Sequence, residues 1–178
     1  MKSSKYSFIL FLLILNLVSA AQVQLPQYPD SLFSTYYHQR VTLFNALPKT
    51  NNDIVFIGNS ITDGGEWSEM FNDLQIKNRG ISGDISAGVL NRIDEVAERK
   101  PAKVFLMIGV NDLARGISVD SVVKNILLIA SFLRQETPSS KLFIQSILPV
   151  NDFYNKFQGH TGKAKLIKEV NDALSKNA

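Results

Sequence analysis

The stretch that decides the fold class is residues 54–65, Ile-Val-Phe-Ile-Gly-Asn-Ser-Ile-Thr-Asp-Gly-Gly, in a chain of 178 residues. Its first four residues form an unbroken apolar run, which is typical of a parallel strand buried on both faces. The run ends at Gly58, and the glycine-rich turn that follows presents Ser60. Similar apolar runs recur at 104–108, before a glycine, and at 142–148, before a proline. The sequence therefore predicts several buried parallel strands, each followed by a turn.

Helical spacing of apolar residues fills the segments between these runs. Residues 85–97 keep that spacing, and Ser118 is the predicted cap of a long second helix that ends before a proline. Asp30 is the predicted cap of an N-terminal helix, Thr161 the predicted start of a C-terminal one, and residues 76–79 a shorter strand. This alternation predicts an α/β fold, a three-layer α/β/α sandwich around a parallel sheet.

Ligands bind beyond the carboxyl ends of the strands in such sheets, and three loops there carry chemically useful residues. The loops are residues 58–65, 78–84 and 109–112. Ser60 is presented at the turn of the first loop. Gly83 can point its N–H group at a developing oxyanion, because no side chain blocks the approach. The amide of Asn111 can donate a hydrogen bond where such charge develops.

Each loop has a simpler interpretation when it is considered alone. The first can be an ordinary glycine-rich turn. A phosphate-cradling loop is a poor match there, because no lysine–serine pair is present and the glycine spacing fits neither nucleotide fingerprint. In the second loop Asp84 can be a helix cap after a turn glycine, and Asn111 can belong to a polar turn. The position of all three loops at one sheet edge favours a shared site.

Three motifs along the chain occur together in one known family, in the same order and spacing. They are Gly58-Asn59-Ser60-Ile61-Thr62, residues 78–84, and Gly109-Val110-Asn111-Asp112. They resemble the first three blocks of the SGNH/GDSL hydrolases, which are serine esterases on a flavodoxin-like sheet. The resemblance runs from about residue 53 to 148. It is close to the branch of platelet-activating-factor acetylhydrolase-like and sialate O-acetylesterase-like proteins, and it implies the SGNH hydrolase fold.

The resemblance also implies a site and a mechanism. Ser60 would be the nucleophile, and the oxyanion hole would consist of the N–H groups of Ser60 and Gly83 with the side-chain amide of Asn111. One difference lies in the first block, where Asn59 replaces the family's usual aspartate. That aspartate is not the acid–base residue, so we expect the site to tolerate the change.

The family's catalytic acid and base are the residues that this sequence lacks. They come from an Asp-x-x-His block near the C-terminus, and no Asp-x-x-His occurs here. His160 follows the last predicted strand, but Phe157 stands three residues before it, so we expect a surface or helix-capping role. His38 is expected to be structural. We therefore expect the chain to end before the family's last strand, base and helix, and to be weakly active or inactive alone.

Residues 1–21 have the pattern of a secretory signal peptide. Lys2 and Lys5 precede an apolar run over residues 8–18, and small residues follow it. The run is shorter than the ~20 residues that span a bilayer, so a retained membrane anchor is the weaker interpretation. We therefore expect a secreted or periplasmic protein with no stable membrane span after cleavage.

Cleavage would change the charge balance of the chain. The full sequence has 19 basic and 16 acidic side chains, and the loss of two lysines leaves 17 against 16. No run of lysine or arginine remains to follow a phosphate backbone, so we expect no nucleic-acid partner. The remaining residues divide into an N-terminal extension and helix, 22–52, and a hydrolase domain, 53–178.

Composition excludes several further classes of protein. The sequence has no cysteine, which excludes disulfides, thiolate metal sites and a lipid-attachment cysteine. Two histidines leave little room for a metal site, and we expect no metal and no organic cofactor. The expected substrate is an acyl ester, above all an acetyl ester on a carbohydrate. A lysophospholipase or short-chain lipid esterase, a carbohydrate- or lipid-binding remnant without catalysis, and a flavin carrier are the alternatives.

Overall fold

The computed structural model describes residues 22–177, so the predicted signal peptide of residues 1–21 lies outside the described residues. A 3₁₀ turn at Asp30–Leu32 precedes the first helix. The elements that follow are α1 (Thr35–Ala46), β1 (Ile54–Gly58), α2 (Ser60–Asp63), α3 (Trp67–Met70), β2 (Ile76–Gly80), α4 (Ser86–Glu98), β3 (Lys103–Met107), α5 (Val110–Ala114), α6 (Val119–Glu136), β4 (Lys141–Ile144), α7 (Gln158–Thr161) and α8 (Ala164–Ser175). Among these helices, none combines the length and apolar character that crossing a membrane requires.

The strands form one parallel sheet in the order β2-β1-β3-β4. Gly58 at the end of β1 pairs with Gly80 of β2 and with Met107 of β3, so these three strands end at the same edge. The predicted α/β fold with a parallel sheet is confirmed. Because the ends of these paired strands lie level with one another, the loops after β1, β2 and β3 lie side by side.

Helices cover the two faces of this sheet unequally. On one face α4, α6 and α8 pack over β1 and β3 in a continuous apolar core. On the other face the rings of Phe56, Phe105 and Phe143 stack across β1, β3 and β4 with centroids 4.8 and 4.7 Å apart. Trp67 of α3 stacks on Phe56 at 4.9 Å. We call these four side chains the aromatic ladder; Phe143, on the edge strand of the described sheet, is 43% exposed.

Two of the predicted helix starts are wrong. Asp30 begins the 3₁₀ turn, and Ser34 caps α1 instead by accepting a hydrogen bond from the N–H of Tyr37 at 3.2 Å. The backbone of Ser34 is extended, as a cap residue requires, which explains why it takes this role. Thr161 ends the short helix α7, and α8 begins at Ala164. The predicted Ser118 cap of α6 is confirmed.

Strand β4 ends at Ile144 and is therefore shorter than the apolar run over 142–148 predicts. The side chain of Asn171 on α8 bonds both the N–H and the C=O of Ile147, at 2.9 Å each. An amide side chain supplies one acceptor and one donor, as a neighbouring strand would. The chain therefore leaves the sheet after β4 and continues along the edge where the other three loops lie.

Candidate active site

The loops after β1, β2 and β3 line one cleft of about 670 Å³ at the carboxyl edge of the sheet. The three predicted site residues, Ser60, Gly83 and Asn111, all lie on this cleft. The segment after β4 contributes further lining, including Tyr154 and His160. The structure thus brings together residues that the sequence separates into three loops.

Ser60 is the first residue of α2, and its side chain is exposed at the cleft. The side chain of the buried Asn59 caps α2 by accepting a hydrogen bond from the N–H of Ile61 at 3.0 Å. An aspartate could accept the same bond, so the substitution at this position preserves the local geometry. Within residues 22–177 the N–H of Ser60 donates no hydrogen bond, and it remains available to a ligand.

Two glycines give the loop after β2 its shape. A Cβ atom on Gly80 would lie 2.1 Å from the backbone N of Asp63, so only glycine lets α2 approach the end of this strand. Gly83 has φ +81°, a conformation that glycine adopts without steric cost. Arg115 donates a hydrogen bond to the carbonyl of Gly83 at 2.8 Å and so fixes this peptide. In the described part of the chain the N–H of Gly83 has no acceptor.

Asn111 lies on α5, just after Gly109 turns the chain with φ +127° at the end of β3. Its side-chain Nδ2 donates a hydrogen bond to the carbonyl of Asp84 at 2.7 Å, which leaves its second N–H free for another acceptor. Its Oδ1 lies 2.9 Å from Nε2 of His160. The amide is therefore held from both ends while it lines the cleft.

A buried polar network under the cleft connects these loops. It consists of Asp84, Ser86, Arg92, Asn111 and Asp112. Arg92 of α4 donates to the carboxylate of Asp84 at 3.0 and 2.8 Å and to the carbonyl of Gly58 at 3.4 Å. Burial raises the pKa of Asp84 above its ordinary value, and the Arg92 guanidinium acts in the opposite direction. The pair links the end of β1 to the loop that carries Gly83.

Asp112 joins α5 to the start of α4. Both of its carboxylate oxygens accept from the N–H of Ser86 at 3.0 Å, and Oδ1 also accepts from the Ser86 hydroxyl at 2.5 Å. Asn125 of α6 donates to the same hydroxyl at 2.9 Å. Burial raises the pKa of Asp112 to about 6, although the hydrogen bonds from Ser86 lower it. Asp112 holds α5, and with it Asn111, against the core helices.

His160 lies at the sheet edge that its position after β4 predicts, in the last turn of α7. It is half-buried at the cleft, and its Nε2 lies 2.9 Å from Oδ1 of Asn111, a contact that the expected surface or helix-capping role does not include. The ring of Phe157, which has φ +53°, meets the imidazole edge-on at 6.0 Å. The available signal was the position of His160 after β4, at the correct edge of the sheet. The contact itself joins α7 to α5, 49 residues earlier in the chain, and no local residue pattern predicts it.

The other histidine lies away from this chemistry. His38 of α1 has its Nε2 3.3 Å from the carbonyl of Asp30 and packs edge-on against Phe33 and Tyr37, in agreement with the predicted structural role. Across residues 22–177, no three His, Cys, Asp or Glu side chains come together as they would around a metal ion. The predicted site residues thus bring to the cleft the hydroxyl of Ser60, the backbone N–H groups of Ser60 and Gly83 and the side-chain amide of Asn111, beside the imidazole of His160.

The chain matches the model of the GDSL-like lipase/acylhydrolase family over residues 56–178, and it belongs to that family. It is 28% identical over 130 residues to the platelet-activating factor acetylhydrolase IB subunit beta homolog of Drosophila melanogaster, covering 70% of this chain and 56% of that protein. It is 25% identical over 124 residues to the human alpha2 subunit, covering 66% and 53%. The chain thus spans about half the length of the curated relatives it matches.

Solved structures agree with this assignment. A GDSL-like lipase from Bacteroides thetaiotaomicron superposes with a TM-score of 0.67 and 27% identity, over 80% of this chain and 72% of that one. The likeness confirms the predicted SGNH hydrolase fold and the resemblance on which it rests.

Proposed function

We propose that the protein is a serine ester hydrolase that works through an acyl-enzyme on Ser60. The observation that carries this proposal is that Ser60, Gly83 and Asn111 meet at one cleft, each with an N–H group that its loop does not use. The serine oxygen would form a bond to the acyl carbon, and the alcohol would leave with a proton. Water would then release the acid and restore the serine. Membership of an acylhydrolase family supports the same reaction.

The three N–H donors would form the oxyanion hole of this reaction. Those of Ser60 and Gly83 belong to the backbone, so they need little reorganisation when negative charge develops on the ester oxygen. The amide of Asn111 is held by its bonds to Asp84 and His160. Removal of one such donor typically lowers kcat by ~10²–10³-fold.

Proton transfer from Ser60 is the step for which the sequence lacks the family's residues. A serine hydroxyl is a weak nucleophile without an adjacent base, and no Asp-x-x-His block is present. We expect residues 22–177 alone to turn over slowly. Binding and the oxyanion hole would then supply a residual rate of ~10³–10⁴-fold over water.

An acetyl ester on a carbohydrate is the substrate that we favour. Tyr154 and Phe157 at the cleft are 73% and 79% exposed, and exposed apolar surface beside a cleft is typical of a ligand-binding groove. A short-chain lipid ester is the second candidate, and the relatives named platelet-activating factor acetylhydrolase support an acetyl ester.

Residues 1–21 support a further part of the proposal, a secreted or periplasmic location. The mature N-terminus of the exported protein, measured by intact mass, tests it. Retention of the first 21 residues on a cytoplasmic protein would contradict this location.

Ser60→Ala tests the proposed reaction. We expect the unsubstituted chain to release p-nitrophenol from p-nitrophenyl acetate slowly but above buffer, and Ser60→Ala to fall to the buffer rate, because the acyl acceptor is lost. Ser131→Ala is the matched control, since Ser131 is exposed on α6 and lies outside the cleft. Acetylated oligosaccharide and a short-chain lipid ester, compared by kcat/KM, separate the two substrates.

Equal rates for Ser60→Ala and the unsubstituted chain would overturn the esterase proposal. If neither protein exceeds the buffer rate and the acetylated oligosaccharide still binds, the binding-module alternative takes its place.

A further inference from the structure

Among residues 22–177 the side chain of His160 makes one hydrogen bond, and its partner is a proposed oxyanion donor. Its Nε2 lies 2.9 Å from Oδ1 of Asn111, which is 8% exposed. The imidazole is half-buried, and the ring edge of Phe157 packs against it. This geometry limits which ring nitrogen can carry the proton.

The orientation of the Asn111 amide follows from its other hydrogen bond. Its Nδ2 donates to the carbonyl of Asp84 at 2.7 Å, a group that can only accept. Oδ1 is therefore the atom that faces His160, and since a carbonyl oxygen cannot donate, Nε2 must carry the hydrogen. In the neutral imidazole this leaves Nδ1 as the unprotonated nitrogen.

We propose that His160 is a positioning residue that acts through Asn111 and not as the base that deprotonates Ser60. Its Nε2–H holds Oδ1, while the carbonyl of Asp84 holds one N–H of the amide. The second N–H is thereby directed to the place where the oxyanion forms. A hydrogen bond to Oδ1 also polarises the amide, which strengthens the N–H groups as donors. This inference rests on the proposed esterase function.

Three substitutions of His160 separate positioning from base catalysis. Glutamine places a donor nitrogen close to where Nε2 lies in histidine, whereas asparagine places it near Nδ1, and alanine has none. In steady-state hydrolysis of p-nitrophenyl acetate we expect kcat of His160→Ala to fall about 10- to 100-fold with little change in KM, as for a misplaced catalytic group. His160→Gln should restore most of this rate, and His160→Asn should not.

A double-mutant cycle tests whether the effect passes through Asn111. If it does, His160→Ala lowers the rate in the unsubstituted chain but causes no further loss in Asn111→Ala, because the group that it positions is gone. Additive losses in the double variant would overturn the proposal. Equal inactivity of His160→Gln and His160→Ala would also overturn it, in favour of direct proton transfer by the imidazole.

A spectroscopic measurement tests the inference without any turnover. Two-bond ¹⁵N–¹H correlations of the imidazole should show the Nε2–H tautomer for His160, and Asn111→Ala should change its shifts. An Nδ1–H tautomer in the unsubstituted chain would overturn the inference. If Ser60→Ala retains full activity, the esterase proposal fails separately; if Ser60→Ala is inactive and His160→Ala is fully active, this inference alone fails.

Discussion

The two sides of the cleft are built in different ways. The loops that carry Ser60, Gly83 and Asn111 are tied to the core by the buried polar network, in which Asp112 and the Asp84 carboxylate are fully buried. The side that carries His160 belongs to the segment after β4, where neighbouring side chains such as Phe157 are largely exposed. The comparison teaches that the side with Ser60, Gly83 and Asn111 is anchored in the buried core, whereas the side with His160 lies on a more exposed segment.

Among the substitutions that test this difference, we expect Arg92→Met to lower the free energy of unfolding most. The substitution removes the cation that faces the buried carboxylate of Asp84, and loss of one partner of a buried ion pair costs about 3–5 kcal/mol. Urea unfolding followed by circular dichroism measures the free energy of unfolding. Arg134→Met, at an exposed cation of α6, is the control and should change it by less than about 0.5 kcal/mol. Similar losses in both variants would contradict a special role for the network.

The second prediction concerns pH and Asp112. Burial holds the pKa of this carboxyl at about 6 against an ordinary 3.8, so between these values the folded protein keeps a proton that the unfolded chain releases. The contribution of Asp112 to the free energy of unfolding therefore falls as pH rises from about 4 to about 6, by roughly 3 kcal/mol for a shift of this size.

Asp112→Asn removes that titration and keeps one acceptor and one donor for Ser86. The free energies of unfolding of the two proteins, measured across pH 4 to 7, should diverge in favour of the variant as pH rises. Parallel curves would show that Asp112 does not titrate in this interval.

We expect the smallest change in stability from alanine substitutions at two glycines, one on each side of the cleft. A Cβ atom on Gly83 or Gly159 would meet no atom within 4 Å, but only Gly83 has positive φ, +81°. Gly83→Ala should cost about 1–2 kcal/mol from backbone strain, whereas Gly159→Ala in α7 should be neutral or stabilise by up to about 1 kcal/mol. Thermal melts measure both. Destabilisation by Gly159→Ala equal to that by Gly83→Ala would remove the contrast between the two sides.

The side with Ser60, Gly83 and Asn111 was also the more predictable side from sequence. Strand β1 and the turn that presents Ser60 follow from an unbroken apolar run and its glycines, which are local patterns. The cap at Ser34 was missed because Asp30 is equally suitable by residue type, and backbone geometry decides between them. The contact of His160 was missed because it joins α7 to α5, two segments that lie far apart in the sequence. Contacts between distant segments leave no periodic signal in a sequence.

The aromatic ladder gives the molecule a built-in optical probe. Trp67 is the chain's single tryptophan, its ring lies nearly parallel to that of Phe56 at an angle of 6°, and its indole N–H donates to the carbonyl of Thr62 at 2.7 Å. Thr62 belongs to α2, the same short helix that begins with Ser60. Tryptophan emission therefore reports on the helix that bears the proposed nucleophile, so acylation or ligand entry can be followed by fluorescence without any added label.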